Sequence, residues 1–236
     1  MNDMVVETTL VARTYLYRMF QMLFGDDPTK ETLSAVFSET TKEALGFFRQ
    51  AESSDYAAAL EGFSKCASAY GENSESCLAR AQRDYMQLLV GPNELKAPPW
   101  ECVYLTNERV LFQESTLKVR EAYRSENMLP TQYPHVSDDH IAIELDFLAK
   151  LSEKTQAALS ANDTAEYGRL LESQRAFLNE HLLVWVDKYA TDLSEASSDS
   201  LYARIAMLCA AFLPIDVEVI GELLDRGKEG KMLCAS

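Results

Sequence analysis

Apolar side chains recur at helical spacing along almost the whole chain, and one stretch breaks that rhythm. From Met4 to Phe24, one series runs through Val5, Ala12, Leu16, Met19 and Leu23 and a second through Val6, Leu10, Tyr17, Phe20 and Phe24. Together they make a stripe wide enough for a helix buried on more than one side. The same period predicts helices over Glu31–Phe37 and Lys42–Ala51, one through Tyr56, Leu60, Phe63 and Tyr70, and another from Ser74 to Val90. Gly91-Pro92 then ends the pattern. Pro98-Pro99 delivers Trp100 from a backbone that cannot be helical, because proline lacks an N–H and biases the residue before it to extended geometry. Trp100, Val103 and Tyr104 thus place large apolar area on a loop, where they must pack on helices or line a groove between them. Val103 to Phe112 reads as either an extended segment or a turn.

Helical spacing resumes over Ser115–Asn127 and fails again around Met128–Ser137, which holds Pro130 and Pro134 and no period, the signature of a hinge. The chain reads as one helical domain, residues 1–236; if it divides, it does so into 1–128, a hinge over 129–137, and 138–236. Ser137-Asp138-Asp139 predicts a helix start, with a hydroxyl for the free N–H groups and two carboxylates at the positive end of the dipole. That helix runs to about Ala161. Asn162-Asp163-Thr164 caps a long helix through Tyr189, bent near His181. Pro214 separates Leu201–Phe212 from Asp216–Asp225, and Gly227–Ser236 reads as a frayed tail.

Hydrophobic content of 47% with 10% aromatics excludes general disorder, and 9 Gly with 7 Pro is low for an all-β chain of 236 residues. The predicted class is all-α: one globular multi-helix bundle with a long proline-containing loop and a hinge. A formal charge of −15 repels phosphate backbones and attracts basic peptides or cations, so nucleic acid is not an expected partner. Five cysteines without a CxxC pair point to a reducing compartment. With no basic-then-apolar N-terminus and no apolar run of about 18 residues, direct membrane insertion is not expected and a soluble, cytoplasmic protein is.

Chemistry-bearing patterns are sparse. His140 and Glu144, four apart on one helix, could seat a metal or move a proton. The bland alternative makes Asp139 a first-turn anion and holds His140 by Glu144 or a backbone carbonyl. His135 and His181 offer no obvious further ligand. No GxxxxGK[ST], GxGxxG or GxSxG is present, so no cofactor has a visible seat. Cys102 beside Glu101 has its thiolate disfavoured and reads as packing. Trp100 and Tyr85 could each be core aromatics. Only two places, however, combine non-periodic backbone with aromatic, proline and ionisable residues: the Trp100 loop and the Asp139-His140 helix start. Recognition grooves have that look in sequence.

At these two places the sequence resembles the TorD/DmsD/NarJ family of redox-enzyme maturation (Tat proofreading) chaperones, its DmsD branch most of all. The first family signature, an apolar helix end running into LFVGP and then PPW, is similar to Tyr85, Leu88-Leu89-Val90-Gly91-Pro92 and Pro98-Pro99-Trp100-Glu101-Cys102-Val103-Tyr104. The continuation Glu108 to Leu117 is similar to the same branch. The second signature, a proline-containing loop followed by Asp-His and an apolar-acidic helix, matches Ser137-Asp138-Asp139-His140 through Phe147. The chain departs from the pattern at Asn93, Asn107, Gln113 and Ser137.

The resemblance implies an all-helical chaperone of the TorD/DmsD type and not an enzyme, with no cofactor of its own. Its implied partners are the twin-arginine leader and the apo catalytic subunit of a molybdoenzyme of the dimethyl-sulfoxide-reductase kind, held until cofactor insertion and before Tat export. Tat components or molybdenum-cofactor biosynthesis proteins would be further partners. Carried over, the leader-binding surface comprises Tyr85, Leu88, Leu89, Gly91, Pro99, Trp100, Asp139 and His140. Independently, a basic pair followed by an apolar stretch calls for an apolar groove with negative charge, which Trp100, Leu88 and Leu89 beside Asp139 could form. Asp139 is thereby expected to matter more than any single surface glutamate. Two other readings stay open: an assembly factor for a cytoplasmic molybdoenzyme subunit, as in the NarJ branch, and a metal-dependent enzyme using His140 and Glu144.

Overall fold

The wide apolar stripe of the first segment becomes α1 (Asp3–Gly25), whose Leu10, Leu16, Tyr17, Phe20 and Leu23 have no exposed surface. The structure, a computed structural model, describes residues 3–50, 53–71, 74–91, 94–106, 110–111, 113–130 and 136–234. After α1 come α2 (Lys30–Val36), α3 (Glu39–Phe47), α4 (Ser54–Gly71) and α5 (Ser74–Tyr85), which continues as a π-helical turn over Met86–Val90. Then follow α6 (Glu101–Leu105), α7 (Glu114–Ser125), α8 (Ile141–Ser160), α9 (Thr164–Glu180), α10 (Val186–Ala196) and α11 (Leu201–Cys234). The all-α reading holds. Among the described residues no strand occurs, and the only extended pairing is an isolated bridge between Trp100 and His140.

Helix α1 packs chiefly on α8, while α11 packs on α4, α9 and α10. Helices from both sides of residues 129–137 thus feed one hydrophobic cluster, from Leu10 and Phe20 through Leu148 and Leu171 to Phe212. A polar knot sits inside it. Arg13, fully buried, donates to Asp216 at 2.6 and 2.9 Å and to Gln174 at 2.9 Å; Tyr17 donates to the same Asp216 at 2.5 Å. Gln174 in turn donates to Thr155 at 2.9 Å, so α1, α8, α9 and α11 are held in register by one network. Buried charge is tolerated when paired and hydrogen-bonded in this way.

Several sequence expectations are corrected. Pro214 does not split α11: the helix runs through it, and Phe212, Leu213 and Ile215 are buried on either side. A proline inside a helix costs roughly 3 kcal/mol, and burial of three large apolar neighbours, at about 1.5–3 kcal/mol each, outweighs it. The backbone of the expected tail from Gly227 is helical as far as Cys234. The long helix bent near His181 is instead two helices, α9 and α10, around a 3-10 turn at Leu182–Val184. Glu101–Leu105, read as loop, forms the short α6. The Ser137 start also shifts: α8 begins at Ile141 with His140 as its cap. No helix among the described residues is long and apolar enough to cross a membrane.

Candidate functional site

The loop ending in Trp100 and the turn ending in His140, some forty residues apart in sequence, meet backbone to backbone. Ile141 donates its N–H to the Pro99 carbonyl at 3.0 Å, and Glu101 donates to the Asp139 carbonyl at 3.0 Å. The Trp100 indole packs edge-on to the His140 ring, with centroids 5.4 Å apart and planes at 76°. Trp100 and Asp139 therefore lie on the same side of the molecule, next to each other.

Three consecutive residues hold this arrangement, each gripping a different helix. Asp138, wholly buried, pairs with Arg120 of α7, and its carbonyl accepts from the Tyr123 hydroxyl at 2.9 Å. Asp139, also without exposed surface, accepts the Cys102 N–H at 2.9 Å on one oxygen and the Ser137 hydroxyl on the other. Its carboxylate thus does for α6 what Trp100, the helix's own N-terminal flank, has no side chain to do: it satisfies a free N–H of the first turn. His140 caps α8, its Nδ1 accepting the Ala142 N–H at 3.1 Å. That acceptor role needs the neutral ring. Burial pushes its pKa down from 6.5 to about 4, against a smaller upward pull from Asp139.

The expected His140–Glu144 pair does not form. Glu144 has no exposed surface and accepts the Trp185 indole N–H at 3.4 Å. Burial, then the charges of Glu101 and Asp139, hold its carboxyl well above the ordinary carboxylate range. Glu101, also buried, reaches His181 at 3.1 Å and so fastens α6 to the break between α9 and α10. Sequence names Glu101 only as the charge beside Cys102 and His181 only as a bend point and a doubtful ligand; their contact is brought about by the fold alone. Cys102 is buried, and its thiol is pushed up to about 12 by burial and Asp139, so the expected direction holds with a different neighbour as cause. Among the described residues no group of three or more His, Cys, Asp or Glu is placed to hold a metal.

Beside this junction lies a cavity of about 340 Å³ whose walls include Phe24, Asp26, Tyr85, Leu89, His140 and Ile143. Of the eight expected site residues, Tyr85, Leu89 and His140 line it. Trp100 backs His140, and its buried indole N–H has no partner among the described residues. Pro99 and Asp139 hold the junction from beneath, and Leu88 packs against the core. Gly91, at φ 50°, ends the π turn by donating to the Met86 carbonyl at 2.6 Å, a backbone region that favours glycine. That turn is what aims Leu89 inward. Phe24, Asp26 and Ile143 were missed: Phe24 reads as an ordinary core position of the first helix, and nothing local to Asp26 or Ile143 marks either as facing a cavity. His135, Pro92, Asn93 and Asn107 lie outside the described residues; Gln113 flanks the start of α7.

The sequence profile of a family described as "Nitrate reductase delta subunit" matches residues 49–191. Chaperone protein TorD of Vibrio cholerae is 30% identical over 144 residues, 60% of this chain and 62% of that protein. Another, from Aliivibrio salmonicida, is 26% identical over 149 residues, 63% of this chain and 68% of the relative. "Probable Tat proofreading chaperone DmsD" of Haemophilus influenzae is 31% identical over 124 residues, covering 52% of this chain and 54% of that protein. The chain thus spans less than two thirds of the length of the first of these relatives and about half of the last.

Proposed function

We propose that this chain, which belongs to the nitrate reductase delta subunit (TorD/NarJ) family, is a redox-enzyme maturation chaperone that binds the twin-arginine leader of a molybdoenzyme catalytic subunit. It acts in the cytoplasm, by binding rather than by catalysis, and releases its client for Tat export once the cofactor is in place. The observation that carries this reading is the meeting of the Trp100 loop and the His140 turn beside a cavity walled by Tyr85 and Leu89.

The chemistry of the cavity suits such a guest. Phe24, Leu89 and Ile143 offer apolar wall to the leader's apolar stretch, and the acidic body attracts its basic pair. His140 stays neutral at cellular pH and does not repel a cation. Binding a flexible leader loses about 2–5 kcal/mol to ordering. The expected affinity is therefore on the order of micromolar rather than nanomolar.

Titration calorimetry with the leader of a molybdoenzyme from the same genome tests this. The expected result is one site, weakened when both arginines become alanine; equal binding of the two peptides contradicts it. The matched family description favours a second reading, an assembly factor that recognises the mature part of a nitrate-reductase-type subunit. Binding to a client lacking its leader, with none to the leader alone, would select that reading.

A further inference from the structure

The charge available to a cationic guest is not the one the sequence singles out. Asp139 is wholly buried and both its oxygens are taken, by the Cys102 N–H and the Ser137 hydroxyl. Asp146 also lines the cavity, but Lys150 holds it at 2.6 Å and Arg18 pairs with it as well. Arg18 reaches on to Glu153 at 2.7 Å, so Arg18, Lys150, Asp146 and Glu153 form a closed set of two positive and two negative charges. None of these is left over for a guest.

Asp26 is different. It lies immediately after α1, lines the cavity, is exposed, and has no ion-pair partner among the described residues. Its N–H closes α1 on the Met22 carbonyl at 3.2 Å, so its place is set by the helix end, where unpaired carbonyls add negative potential. Gly25 lets that end approach α8: a Cβ there would stand 3.1 Å from that of Ala142. Tyr85 lines the same cavity, and Asp27, next in the chain, is exposed like Asp26; the Tyr85 phenol is pushed up by its own burial and then by these two carboxylates.

We infer that Asp26, seconded by Asp27, is the carboxylate that receives the basic pair of a peptide whose apolar stretch lies against Phe24, Leu89 and Ile143. Asp139 then acts on binding only by positioning the Trp100 loop. This rests on the leader-binding reading and assigns which residue reads the arginines. An arginine fork fits a free carboxylate at a cavity mouth with two parallel hydrogen bonds, and a lysine at the same point makes fewer. Asp26 precedes the region matched by the family profile, residues 49–191, so this contact belongs to a part of the chain the profile does not cover.

Fluorescence anisotropy on the full chain tests it with three labelled peptides, which carry an arginine pair, a lysine pair or an alanine pair before the same apolar stretch. The wild type is expected to prefer the arginine peptide, more so at low salt. In Asp26→Asn that preference should fall about five-fold, the upper range for a solvent-facing ion pair, while affinity for the alanine peptide stays put. Asp26→Asn/Asp27→Asn should remove the salt dependence of the preference. An undiminished preference in both variants overturns the assignment while leaving leader binding intact. So does a preference abolished by Asp139→Asn in a variant that still gives wild-type unfolding curves. A wild type that binds arginine and alanine peptides alike defeats the leader-binding reading itself.

Discussion

Trp100 stands edge-on to His140, ring centroids 5.4 Å apart, and the backbones of the same two residues form the only isolated bridge among the described residues. Each residue is anchored in its own segment, His140 as the cap of α8 and Trp100 by accepting the Val103 N–H at 3.2 Å. The two segments are joined by the hydrogen bonds their neighbours make, Ile141 to Pro99 and Glu101 to Asp139, so the junction forms only when the fold is complete.

Removing the indole tests that dependence. Trp100→Ala should lower the unfolding free energy by about 2 kcal/mol, from lost apolar contact and the edge-on ring pair, and weaken leader binding at least ten-fold. Trp100→Phe should retain most of both. Urea unfolding and calorimetry on the two variants separate a packing role from none.

Asp139 holds α6 rather than facing solvent. Asp139→Ala leaves the Cys102 N–H and the Ser137 hydroxyl without their acceptor and should cost about 2 kcal/mol of stability. With the junction loosened, trypsin should cut faster after the exposed Lys96, just before Pro98-Pro99. Asp139→Asn, which keeps one acceptor oxygen, should show a smaller effect on both measures.

The neutral His140 sets an acid limit. Its folded pKa, about 4, lies below the unfolded 6.5, so on acidification the unfolded chain gains the proton first. Stability from this residue is present above about 6.5 and is lost as pH falls towards 4. His140→Asn keeps a side chain that caps helices and removes the titration. Urea midpoints for that variant should vary less between these two pH values than those of the wild type.

Glu144 has the opposite sign. Its folded pKa is raised above the ordinary 4.5, so stability from the protonated form is complete below that value and is lost as pH rises through the folded one. Glu144→Gln, still able to accept the Trp185 N–H, should be the more stable protein at neutral and alkaline pH. Equal midpoints at low pH and diverging ones above it are the expected thermal-melt result.

The knot at Arg13 should respond asymmetrically. Asp216→Ala strands a buried guanidinium and should cost about 3–5 kcal/mol, whereas Arg13→Met/Asp216→Leu removes both charges and should cost less than that single change. Chemical denaturation of the single and double variants decides it.

Helical period and proline placement were enough to read the all-α class, the bounds of α1 to within a residue or two, and the presence of two irregular segments, which the fold brings together. They read Ser137-Asp138-Asp139 as a helix start, about one turn before the observed cap at His140, because those residues have the composition of a cap. The structure uses those residues to satisfy N–H and O–H groups elsewhere, and such borrowed partners leave no local trace. Pro214 misled for a related reason: its local cost is overridden by burial on both sides, which sequence does not display.

What the sequence by itself determined is therefore the all-α class, most of the helices and the two irregular segments that meet in the fold, since period, turn residues and composition act over a few residues at a time. What only the tertiary structure decided is which carboxylate is free. Asp26 and Asp139 are the same side chain chemically, yet one ends a helix facing water and the other is enclosed with both oxygens taken. Burial and hydrogen-bond partners belong to the packed chain, and they separate a group that can meet a ligand from one that holds the site together.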